Sequence, residues 1–350
     1  GEAPPQKSQQ TGYRGTGMVQ ISDPSRVEKL AGLNVVPEEP YAREEGPVEG
    51  PTAGEFYQNV QVLRDISPTT FNRLMTSITE GVVPESYRND PNTAGGCNYC
   101  HNPENMASDE VYTKVVTRRM LSMVRTINTD WTAHVAQTGV TCYTCHRGQP
   151  VPAENWSTLV ENRAGLAGPT GQNLASDVTA GTSLPRDPFT PYLLGDRNIR
   201  VASTGSMPRG NTTDVRETEW SYALMMHMSD ALGVNCTFCH NSRAFASWAQ
   251  SPAPRLTAWH GIRMVRQINN DYIVPLTPVW AANPRGPADG PHMARLGPGG
   301  DALKVNCATC HQEAPKPLLG AQMLKDYEAS LGPQAMATPA ATPAAAPAEA

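Results

Sequence analysis

The sequence predicts a mainly α protein built as two tandem helical units, joined and flanked by long loops. Three observations carry that prediction. The segment SMVRTINTD at residues 122–130 is nearly restated as RMVRQINND at residues 263–271. Short cysteine motifs follow stretches of helical character at matching places in the two halves. The 32 Pro and 29 Gly, set beside 39% hydrophobic residues, describe a chain rich in loops and poor in regular core.

Residues 1–66 are rich in Pro, Gly and Glu without a sustained helical period, and read as an extended N-terminal arm or a disordered leader. The first unit covers residues 67–150. Its first helix starts at Ser67 as N-cap with Pro68 in the first helical position, and stops before Gly81. Its second begins near Ser108, with Asp109 and Glu110 in the first turn, where acidic side chains favour the helix dipole. Residues 151–212 connect the units. In the second unit, residues 213–332, one helix runs from about Asp214 to Leu232 with Gly233 as its stop. Another runs from about Arg255 to Asn270. Residues 333–350 form an Ala/Pro-rich low-complexity tail.

The eight cysteines fall as Cys97/Cys100, Cys142/Cys145, Cys236/Cys239 and Cys307/Cys310, followed at once by His101, His146, His240 and His311. A single C-x-x-C also serves zinc ribbons and thioredoxin-like sites. Four copies that use every cysteine, each with histidine directly after, point to four covalently attached haem c groups. Cysteines three apart on a helical turn share a face and can bond one porphyrin edge, and the next histidine is the proximal iron ligand. Each unit is then dihaem, and four apolar macrocycles supply core that the side chains do not.

Eight histidines permit four bis-histidine haems, and thirteen methionines permit methionine ligation instead. The repeat favours methionine, because Met75 and Met225 hold matched places in LMTSIT and LMMHMSD. His227 competes with Met225, but residues two apart point about 200° apart on a helix. In the second helices Met123 pairs with Met264, which sets Met120 opposite Gly261. Met120 precedes His146 by 26 residues, as Met75 precedes His101, so it is preferred to Met123. The fourth haem then meets only Gly261 and must borrow a ligand, from His134 in the segment TDWTAHVAQ that closes at Gly139, or from His260. Arg118, Arg119, Arg125, Arg255, Arg263 and Arg266 are candidates to pair with haem propionates.

Haem attachment of this kind requires export in bacteria. The chain starts at Gly1 with no apolar signal region, so its address is removed or left out, and no run of about 18 apolar residues could span a membrane. The formal charge of −5, before any propionates, argues against nucleic acid and for basic protein partners.

From Glu55 to about Gly332 the chain resembles the tetrahaem cytochrome subunit of bacterial photosynthetic reaction centres. FNRLMTSITE, YTKVVTRRMLSMVRTINTDWTAHVAQTGVTCYTCHRG, YALMMHMSDALGVNCTFCHN, WHGIRMVRQIN and CATCHQEAPKPLLGAQMLKDY carry the likeness. It implies axial pairs Met75 with His101, Met120 with His146, Met225 with His240, and His134 with His311. It also implies an electron carrier on the periplasmic face of the photosynthetic inner membrane, bound to core subunits carrying bacteriochlorophyll. That carrier reduces the photo-oxidised special pair and is refilled by a soluble cytochrome or a high-potential iron–sulfur protein.

The chain departs from the family in a longer stretch between Met75 and Cys97, and in an acidic arm and an Ala/Pro tail without counterpart. No cysteine begins it, so the lipid anchor of some members lies outside this sequence or is absent. The competing readings are a periplasmic multihaem reductase, favoured if one haem lacks a sixth ligand, and a free electron shuttle.

Overall fold

The computed structural model describes residues 7–10, 19–43, 50–159, 175–201, 215–287 and 293–333. Asp214, most of the Ala/Pro tail and parts of the arm and connecting segment lie outside the described residues. Helices dominate; the multi-residue strands among the described residues are the antiparallel pair Lys7–Gln10 and Val19–Ser22.

The four long helices are Pro68–Val82, Tyr112–Asp130, Val215–Leu232 and Pro254–Gln267. Ser67 caps the first, accepting from the Thr70 N–H at 3.0 Å, and Pro68 occupies the first turn, where no N–H partner is needed. The helix does not stop before Gly81 but runs through it to Val82. A Cβ on Gly81 would lie 3.2 Å from the Tyr143 backbone nitrogen, and the Gly81 carbonyl accepts from the Gly148 N–H at 2.8 Å. The glycine therefore admits the turn of the second cysteine motif rather than ending a helix.

The second helix begins at Tyr112, later than expected, leaving Asp109 and Glu110 outside it. Arg118 holds Asp109 in a two-pronged pair at 2.7 and 2.8 Å, and that hydrogen bonding pulls the carboxyl down to about 2. The acidic group is committed to a side-chain partner and does not serve the helix terminus. In the second unit Gly233 ends the helix at φ +66°. The helix Pro254–Gln267 widens into a π-helical turn over Ile268–Ile273, with Pro275, which has no N–H to continue the ladder, just beyond.

The repeat extends to individual hydrogen bonds. The Glu313 N–H donates to the Ala231 carbonyl at 2.9 Å, as Gly148 donates to Gly81. Asn128 accepts from the Val140 N–H at 2.8 Å and donates to the Val140 and Leu331 carbonyls at 3.0 Å. Its counterpart Asn269 accepts from the Val305 N–H at 2.8 Å and donates to the Leu193 and Val305 carbonyls at 3.0 and 2.9 Å. Val140 and Val305 each stand two residues before a cysteine motif, so a buried asparagine anchors the approach to each.

Both ends of the described chain cross between units. Part of the expected arm is not extended: Pro24–Leu33 is helical, capped by Asp23 with Pro24 in its first turn. Lys29 of this helix pairs with Glu313 at 2.8 Å, and its Leu33 carbonyl accepts from Arg147 at 3.0 Å. The buried Arg73 guanidinium binds the Tyr41 carbonyl, the Asp326 carbonyl and the Glu39 carboxylate, all at 2.8 Å. That side chain clasps the arm and the end of the second unit to the first helix.

Candidate haem-binding sites

Two of the cysteine motifs are single helical turns, Cys142–His146 and Cys307–His311. Reciprocal bonds between Asn306 and Thr309 fix the N-terminus of one turn, and the Thr141 N–H donating to Thr144 Oγ1 at 3.0 Å fixes the other; left-handed residues Arg147 and Gln312, at φ 51° and 45°, end them. Cys97 and Cys236 lie in 3-10 turns, Pro91–Tyr99 and Cys236–Phe238.

Every motif histidine has its Nδ1 against a backbone carbonyl. His101 meets Met106 at 2.9 Å and His240 meets Phe245 at 3.1 Å, both five residues on. His146 meets Gln149 at 2.8 Å and His311 meets Ala314 at 2.9 Å, both three residues on. A carbonyl at Nδ1 fixes the tautomer with its lone pair on Nε2, the arrangement of a metal-ligating imidazole. Burial disfavours the charged ring at all four, pushing His311 down to about 4.

His134 has the same character, although its helix is shorter than expected: it spans Thr132–Val135 and ends at Ala136, φ 51°, before Gly139. Its Nδ1 meets the Thr257 carbonyl at 2.9 Å, and its ring lies across from that of His311 with centroids 6.0 Å apart. Two imidazoles on opposite sides of one metal, with metal–nitrogen bonds of about 2 Å, put their centroids roughly 6 Å apart. His260 instead packs edge-on to Trp259. His227 turns into the core against Phe189, with its Nε2 unpaired among the described residues.

Met120, Cys142, Cys145 and His146 line one cavity, together with Cys100, Trp280 and Arg295. Met123 shares that wall, and its repeat counterpart Met264 is a buried core residue. Met75 and Met225 keep matched, half-buried places on the first helix of each unit.

Arg295 was not legible in the sequence, having no repeat counterpart. It is buried, donates to the Tyr99 hydroxyl at 2.6 Å, and its Nε is unpaired among the described residues. The arginines that the sequence singled out bind other groups of the chain. Arg125 donates to the Val62 carbonyl and Arg266 to that of Tyr192; Arg119 donates to the Asp271 carbonyl. Arg255 and Arg263 lie over the Trp248 and Trp259 rings.

The sulfurs of Cys145 and Cys310, the second cysteines of two different motifs, lie against each other, with their Cα atoms 4.5 Å apart. The attachment turns of the two units therefore lie side by side. Burial pushes the Cys142 and Cys307 thiols up to about 11 and about 12. Among the described residues no three His, Cys, Asp or Glu side chains converge on a metal.

Cysteine pairs on single turns, histidines with Nε2 presented from a carbonyl-anchored ring, and an apolar cavity holding Met120 beside His146 fit covalent haem and define a c-type cytochrome. Comparison with known families is more specific. A model of the photosynthetic reaction centre cytochrome c subunit matches residues 2–330, and the chain belongs to that family. It is 48% identical over 330 residues to the photosynthetic reaction center cytochrome c subunit of Rubrivivax gelatinosus (strain NBRC 100245 / IL144), covering 93% of this chain and 84% of the relative. It is 47% identical over 329 residues to that of Thermochromatium tepidum, covering 93% and 75%. With that of Roseobacter denitrificans (strain ATCC 33942 / OCh 114) the identity is 37% over 338 residues, covering 91% and 84%.

The match corrects one expectation: it begins at residue 2, so the N-terminal arm has a counterpart in the family. The protein is an electron-transfer subunit of a photosynthetic reaction centre and associates with its membrane complex. Among the described residues no helix is long and apolar enough to cross a membrane.

Proposed function

We propose that the chain holds four haem c groups and passes electrons from a soluble periplasmic donor to the photo-oxidised bacteriochlorophyll special pair, working at the periplasmic face of the membrane. The observation that carries the reading is the presentation of Nε2 by all four motif histidines. Each haem supplies one-electron exchange between ferric and ferrous iron. The cysteine pairs hold the groups by thioethers. His101, His146, His240 and His311 would each ligate one iron, and Met75, Met120, Met225 and His134, in the same order, would supply its second protein ligand. The neutral methionine sulfurs raise the potentials of three sites, and the second imidazole lowers that of the fourth.

Single-flash absorption spectroscopy of the intact complex tests this. Re-reduction of the special pair accompanied by haem oxidation, with three higher-potential sites and one lower in a redox titration, is the expected result. Re-reduction without haem oxidation, or a high-spin haem that binds added ligand, overturns it.

Arg295 sets a fixed positive charge beside the site of His146 and so favours the ferrous state there. Arg295→Gln is expected to lower that midpoint by about 59 mV, a tenfold change in the ferric-to-ferrous ratio. Arg295→Lys should restore most of the shift; potentiometric titration of both variants reads it.

A further inference from the structure

The second helices of the two units share the near-copy at residues 122–130 and 263–271, and in that register one carries Met120 where the other carries Gly261. The side chain missing from position 261 is replaced in space by another residue. A Cβ built on Gly261 would lie 2.5 Å from Cε1 of His134, 2.8 Å from Nδ1 and 3.1 Å from Nε2. No side chain fits there while the imidazole keeps its place, because the nearest atoms belong to a ring and not to the end of a flexible chain.

That ring is also held from the same helix. His134 Nδ1 bonds the carbonyl of Thr257, one turn before Gly261, and Trp131 donates from Nε1 to Gln267 at 2.7 Å, further along. Residues 257 and 261 share a helix face, so the backbone there forms a slot with a hydrogen-bond acceptor at one end and a glycine floor. His134 lies in the slot with its ring across from His311.

We propose that Gly261 is the positioning residue that gives the fourth haem a histidine in place of a methionine as its distal ligand. The inference rests on the reading of His134 as that ligand. One helix face does two jobs: with methionine at this position it supplies the ligand itself, and with glycine it becomes a bed for an imidazole from the other unit. The choice fixes which site has the low potential, and it ties the first unit to the second.

The test uses the full haem-loaded chain. Gly261→Ala should abolish the bis-histidine low-spin EPR signal of one haem and leave the other three unchanged. Gly261→Met should displace the imidazole, add a methionine–iron charge-transfer absorption and raise the lowest midpoint. An unaltered bis-histidine signal and midpoint in Gly261→Ala overturns the inference. His134→Gly separates the two claims: if it leaves every haem's spectrum unchanged, His134 is not a ligand and the underlying reading fails first.

His134→Gly also relieves the clash, so it provides a second measurement should Gly261→Ala fail to accumulate. Free imidazole should bind the His134→Gly protein and restore the low-spin signal. Its affinity should be at least tenfold weaker in the His134→Gly/Gly261→Ala double variant. Equal affinities would mean that position 261 does not shape the slot.

Discussion

Met225→His lowers the midpoint of the haem attached at Cys236 and Cys239 by on the order of 0.1 V or more, within the roughly 0.8 V that axial ligation commands. A thioether is a neutral, soft donor that favours ferrous iron, whereas a second imidazole stabilises the ferric state. Met225 sits half-buried on the helix Val215–Leu232 at the place that Met75 holds in the first unit. Each 59 mV is a factor of ten in the oxidation ratio of a one-electron couple. At a fixed ambient potential the reduced-to-oxidised ratio of that haem therefore falls by about tenfold or more, and the electrons ready for transfer after a flash fall with it. Met226, also half-buried but about 100° round the helix, provides the control: Met226→His should leave every haem midpoint in place. If both substitutions shift one midpoint equally, or neither does, Met225 is not the ligand.

Asn128→Ala destabilises the protein by about 3–5 kcal/mol. The side chain is 1% exposed and satisfies one N–H and two carbonyls. Each buried backbone group left without its partner costs about 1–3 kcal/mol. The loss is structural and functional together, because the tethered Val140 leads into Cys142 and the tethered Leu331 brings the end of the second unit onto the first. Asn269→Ala removes the equivalent bonds to Val305 and Leu193 and should cost a similar amount. Thermal unfolding followed by circular dichroism, with haem content measured on the same preparations, checks both. A midpoint fall of several degrees with reduced haem content is expected. Unfolding within about 1 kcal/mol of the parent for both variants would remove the asparagines from the list of anchors.

The sequence alone determined the elements whose causes are local. A cysteine pair and its histidine lie within one turn, a cap within three residues of the N–H it satisfies, and the near-copy of nine residues announces two equivalent helices. The helix that Ser67 and Pro68 begin and the stop at Gly233 were readable for that reason. Helix ends set by distant neighbours were not. Gly81 looked like a terminator, and only the approach of the turn at Tyr143 shows why a glycine stands there. Asp109 looked like a first-turn residue because its partner Arg118 is chosen in space.

Tertiary structure alone decided what stands opposite what. The ring of His134 comes edge-on to that of His311, 177 residues further along the chain. Arg295 enters the cavity of His146 from a loop with no repeat counterpart, and the arm helix reaches across to Glu313. Such contacts join segments far apart in sequence, where no periodicity or spacing rule links the two residues. They are selected by how the helices pack against each other, and that packing depends on close approaches, such as those at Gly81 and Gly261, that a sequence records only as missing side chains.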